Sequence, residues 1–86
     1  MQELPFGRFA FYQEELDELF GLSREFFRGL RAKGRSRLNS EILKRDSPSL
    51  VGEKGGSFDL EDVLAAGNYL GLIRVDPEAD GWIEIV

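Results

Sequence analysis

Residues 14–34 read EELDELFGLSREFFRGLRAKG, and the way this stretch divides into helices sets the architecture of the chain. Leu16, Leu19 and Phe20 stand at i, i+3 and i+4, the apolar stripe of an amphipathic helix over residues 13–20. Glu14 and Glu15 suit the positive end of its dipole. Gly21 can end that helix in a left-handed conformation at little steric cost. Ser23 is then an N-cap for a second helix, its hydroxyl accepting from a backbone N–H two or three residues on. The second helix runs to about Lys33 and stops at Gly34. The spacing therefore predicts two short helices joined by a tight turn at Gly21-Leu22-Ser23.

On the second helix a step of about 100° per residue puts Phe27, Leu30 and Gly34 on one side. Glu25, Arg28, Gly29 and Ala32 lie opposite, with Arg24 and Arg31 on one flank. Its charge is part of a larger block. Residues 24–45 hold eight basic residues against Glu25 and Glu41, a balance of +6. Residues 1–23 balance to −4 and residues 46–86 to −7, so the chain totals −5. A basic block between two acidic ones is the footprint of one nucleic-acid-facing patch on an acidic body. The plainer reading is a solvated helix face that happens to be basic.

Composition narrows the function classes. Eighty-six residues make one domain, and an apolar fraction of 42% supplies one modest core. There is no cysteine and no histidine. That removes disulfides, the usual zinc ligands, the Ser-His and Cys-His nucleophile pairs and the commonest acid–base residue. No enzyme activity, metal or other cofactor is expected. No apolar run is long enough to span a bilayer, and no basic region precedes an apolar core at the start. A cytoplasmic location without membrane contact is expected.

Along the rest of the chain, Phe9 and Phe11 alternate as in a half-buried strand over residues 9–12. Aromatics beside Arg8 also have the makings of a base-stacking platform, but a core role is expected of them. Arg35-Ser36-Arg37 is basic and exposed. Beyond it two readings stand for residues 36–57: a short helix over 41–45 capped by Asn39 or Ser40, with Ile42 and Leu43 inward, or an extended wing. Pro48 ends either element. Residues 51–57 are loop-like, with Lys54 at a wing tip; their glycines lack the Gly-Lys-Ser/Thr ending of a phosphate-binding loop. Asp59 is an N-cap for a helix over 60–70, with Leu60, Val63, Leu64 and Gly67 inward and Gly71 as its stop. Residues 72–75 and 82–86 read as a β-hairpin, expected to form a three-stranded sheet with residues 9–12. The turn between them carries Asp76, Glu78 and Asp80 at alternate positions, like the first half of a calcium loop. No closing glutamate follows, and acidic residues favour turns without metal.

Residues 16–34, with L-F-G-L-S-R and a basic helix ending in Lys33-Gly34, resemble the DNA-binding modules of excisionases and MerR-type regulators. Ser57-Phe58-Asp59-Leu60-Glu61-Asp62 resembles the aromatic and "LED" start of the helix after the wing. The resemblance covers about residues 12–70. Together with the strand and hairpin read above, it leads to an expected α+β fold: a single small winged helix-turn-helix domain over residues 1–86, with three to four helices, a C-terminal β-hairpin and an N-terminal strand. It implies DNA contacts at Arg24, Arg28 and Arg31, and packing by Leu16, Phe20, Leu22, Phe27 and Leu30. Two departures stand out: Asp17 where the family carries a small residue at the helix crossing, and a wing segment longer than usual.

The expected function is sequence-reading double-stranded DNA binding in transcription regulation or control of site-specific recombination. Arg28 would reach base edges; Arg24, Arg31, Lys33, Arg35 and Arg37 would neutralise phosphates, with Lys54 as a wing contact. A second copy of the chain is a further expected partner; a small-molecule substrate is not expected. The alternative is a protein-binding adaptor or inhibitor on the same kind of fold, turning its acidic surface to a basic or nucleic-acid-binding partner.

Overall fold

The computed structural model describes residues 3–6, 9–75 and 81–86, with side chains described from residue 12 onward in those spans. The described residues form an α+β arrangement of three helices and short antiparallel strands. Strands β1 (Glu3–Phe6) and β2 (Phe9–Tyr12) pair as a hairpin that leads directly into α1 (Gln13–Ala32). Then come β3 (Arg37–Asn39), α2 (Ser40–Asp46), the hairpin β4 (Ser49–Val51) and β5 (Ser57–Asp59), α3 (Leu60–Tyr69), β6 (Ile73–Val75) and β7 (Trp82–Ile85).

The turn expected at Gly21-Leu22-Ser23 is absent: α1 is one 20-residue helix running straight through it. Its buried residues are Leu16, Leu19, Ser23, Phe27 and Leu30, separated by 3, 4, 4 and 3 positions, a single stripe with no break at the glycine. Gly21 does not have a positive φ. Ser23 caps nothing; it is fully buried, and its hydroxyl donates to the Val63 carbonyl of α3 at 3.3 Å. The energetics favour continuity. A glycine in a helix interior costs about 1 kcal/mol relative to alanine. Burying the four large side chains of the stripe contributes roughly 6–12 kcal/mol, and a turn at its middle would put the halves out of register with α3. Asp17 is exposed, so the position where a helix-turn-helix needs a close crossing faces solvent instead.

Helix α1 stops where the sequence predicts. Gly34 adopts φ +78°, and the N–H groups of Gly34 and Arg35 return to the carbonyls of Arg31 and Leu30 at 2.9 and 3.0 Å. This pair of bonds is the Schellman motif, in which a left-handed glycine satisfies the last carbonyls. Gly71 closes α3 the same way. The α1–α3 contact depends on a small residue: a Cβ on Gly67 would lie 2.5 Å from the Phe27 ring.

In the middle segment residues 40–46 take the helical reading as α2, and the short β4–β5 hairpin follows. Asn39 caps α2, its Oδ1 accepting from the N–H groups of Glu41 and Ile42 at 3.0 and 3.2 Å. Leu43 turns inward, but Ile42 is exposed, contrary to expectation. The C-terminal hairpin forms, yet its third strand is β3 and not residues 9–12: the order is β3-β7-β6. Leu38 faces Ile83 across β3 and β7, and Ile73 faces Ile85 across β6 and β7; all four are buried. The core lies between this inner sheet face and the α1–α3 pair, closed by Phe58 and Leu60. Phe20 and Leu22, expected in the packing set, are half-buried at its edge, with Phe20 stacked on Tyr69 at 5.7 Å. The core role expected of Phe9 and Phe11, any role of Arg8 and the turn at residues 76–80 lie outside the described residues.

Candidate functional site

Continuity of α1 changes the geometry of its arginines. Arg24, Arg28 and Arg31 stand at i, i+4 and i+7, within about 60° of one another around the helix axis. All three are exposed. The N-terminal half of the same helix carries Glu14, Glu15, Asp17 and Glu18, so α1 is acidic at one end and basic at the other. The helix dipole favours that polarity only within the first and last turns, which covers Arg31 but neither Arg24 nor Arg28.

The basic flank abuts the sheet. The Arg31 guanidinium donates to the backbone oxygen of Val86, just past β7. Lys33 caps α1, and the Ser36 carbonyl between Arg35 and Arg37 accepts from the Ile85 N–H at 2.7 Å. Arg37 opens β3 opposite Glu84, its guanidinium carbon 5.4 Å from the centroid of the Trp82 ring. Arg24, Arg28, Arg31, Lys33, Arg35 and Arg37 thus follow one another from the helix onto the sheet, all exposed. Among the described residues, Arg24, Arg28, Lys33 and Arg35 form no ion pair. Lys44 pairs with Glu41 at 3.3 Å and Arg74 with Glu84 at 2.7 Å.

Lys54, the seventh residue expected at the site, is not with the others. It lines a groove of about 330 Å³ between α1 and the β4–β5 hairpin, beside Asp17, Glu18, Glu25 and Glu53. The Glu18 carboxylate holds that hairpin, accepting from the backbone N–H groups of Lys54 at 2.7 Å and Gly56 at 3.3 Å. Side chains at Gly52 or Gly56 would collide with it, at 2.5 and 2.4 Å from its oxygens. The hairpin's attachment is therefore acidic, on the other side of α1 from the flank that meets Val86.

Trp82 stands beside this basic strip and is not itself one of its cations; the sequence marks it only as the start of a strand. The alternation of Trp82 and Glu84 with buried Ile83 and Ile85 is its signal: period two sends Trp82 outward. Among the described residues no group of three or more acidic, histidine or cysteine side chains is arranged to hold a metal, and no helix is long and apolar enough to cross a membrane. Comparisons with protein-family models, with curated proteins and with solved structures each return no match.

Proposed function

We propose that this chain is a binding module for double-stranded DNA, engaging the phosphate backbone along the basic flank of α1 and the adjoining sheet edge. The observation that carries the reading is the strip of exposed arginines, Arg24, Arg28 and Arg31, on one side of a continuous helix, the first two in no ion pair among the described residues. Phosphate contacts of this kind supply affinity without sequence information. We assign base contact to Arg28, a guanidinium suited to guanine, with Ala32 one turn on leaving room for close approach. The β4–β5 hairpin comes before α3 in chain order, as a wing would, which supports that part of the reading; its attachment lies on the acidic side of α1, away from the arginines. The helix-turn-helix part is not retained, since its turn is replaced by helix. Control of transcription or of site-specific recombination is the role that the family resemblance implies.

The test is duplex binding at low salt. The native chain is expected to bind random duplex in the micromolar range, weakening steeply with salt. Arg24→Glu with Arg28→Glu should weaken binding sharply with the fold intact by circular dichroism, because neither side chain has an ion pair among the described residues to lose. Lys54→Ala should leave it unchanged. Absence of duplex binding at low salt refutes the proposal. It would favour a second reading, which the α1–hairpin groove supports: its acidic rim and exposed Val51 suit a basic protein partner.

A further inference from the structure

The outer face of the β3-β7-β6 sheet carries a feature that phosphate binding does not use. Trp82 is 36% exposed and Ile42 of α2 47% exposed, an arrangement in which two large apolar side chains remain open to solvent. They line a hollow of about 200 Å³ together with Arg35, Arg37 and Asn39. That is below the size at which drug-sized ligand sites begin, about 300 Å³. The Arg37 guanidinium lies over the indole at 5.4 Å, a cation–π pair. Glu84 shares this outward face, but its carboxylate is held by Arg74 at 2.7 Å and so offers little repulsion to an anion. A flat aromatic, a stacked guanidinium and a second arginine at the rim suit one class of ligand: an unpaired nucleobase on its phosphate backbone.

We infer that this hollow stacks an unpaired base, so that the chain prefers DNA with a single-stranded segment next to duplex. The inference rests on the duplex-binding reading of the α1 flank and names the nucleic acid more narrowly. The duplex lies along Arg24 and Arg28; the chain continuity from α1 through Arg35 to Arg37 carries the contact onto the sheet, where the first unpaired base meets Trp82. Asn39 adds its amide NH2 at the rim, able to donate toward a base edge while its Oδ1 stays engaged in capping α2.

Trp82 is the single tryptophan of the chain, so its fluorescence reports the site directly. The probes are a blunt duplex, the same duplex with a short oligothymidine tail, and the tail alone. The tailed duplex should quench Trp82 and bind about tenfold tighter than the blunt one, the gain expected of one stacked base. By anisotropy of labelled DNA, Trp82→Ala should abolish that gain while leaving blunt-duplex affinity unchanged, and Trp82→Phe, which keeps an aromatic ring and guards against misfolding, should restore most of it. Equal affinity for tailed and blunt duplex, or a gain that survives in Trp82→Ala, overturns the inference. If the tail alone quenches Trp82 while blunt duplex does not bind, the stacking site stands and the duplex reading falls. If blunt duplex binds in an Arg28-dependent way without any tail effect, the reverse holds.

Discussion

Replacing Gly21 with alanine separates one helix from two. In a helix-turn-helix, Gly21 would close the first helix in the left-handed region, where a Cβ is strained and the substitution destabilises. In the continuous α1, Gly21 has no positive φ, and beyond the adjoining helix backbone and its chain neighbours a Cβ built on it meets no atom within 4 Å. Nothing is displaced and the change reduces to helix propensity, about 1 kcal/mol in favour of alanine. For a domain of this size that raises Tm by roughly 4–8 °C. Urea and thermal unfolding followed by far-ultraviolet circular dichroism measure it, with Gly34→Ala as the opposite control. At φ +78° the control should lose about 1 kcal/mol or more. A fall in Tm for Gly21→Ala, or a weaker helical signal, would refute the continuous helix and restore the turn.

Two other perturbations probe how the elements are held. Gly67→Ala forces a methyl to 2.5 Å from the buried Phe27 ring and should cost about 1–3 kcal/mol, read as a lowered urea midpoint with unchanged slope. Glu18→Ala removes the acceptor of the Lys54 and Gly56 amides and should loosen the β4–β5 hairpin by roughly 1 kcal/mol. Hydrogen exchange should then quicken at those two amides and not in the α1–α3 core.

Where the chain signals its structure locally, the sequence was enough. Asn39 marks a helix start and caps it, Asp59 holds the N-cap position of α3 without a side-chain cap bond, Gly34 and Gly71 mark stops, and the β-branched runs flanking residues 76–81 give the C-terminal hairpin. The failures share one cause: the deciding contact is distant in sequence. Gly-Leu-Ser has the chemistry of a turn, and what overrides it is α3, whose Val63 carbonyl takes the Ser23 hydroxyl across 40 residues. Helices draw most of their stability from such packing and not from propensity, so a local stop signal loses to a continuous buried stripe. The three-residue β3 is too short to show alternation, and its pairing with β7 joins Arg37 to Glu84, far along the chain. Placing Trp82 beside Arg37 depends on that register, which is why the basic residues were legible and the aromatic partner was not. The setting of Lys54 is hidden in the same way: a lysine at a hairpin tip suits a phosphate, but Glu18, 36 residues away, ties that tip to the acidic side.

The salt dependence of duplex binding bears on the function more than any other quantity. Five cations along the α1 flank and onto β3, Arg24, Arg28, Arg31, Arg35 and Arg37, would release about one counterion each, so the logarithm of affinity should fall against the logarithm of salt concentration with a slope approaching about −4. Arg24→Glu with Arg28→Glu, if residual binding is measurable, should flatten that slope by about 2, whereas Lys54→Ala should leave it unchanged. A slope near zero, or one that the double reversal does not alter, would contradict binding through this face.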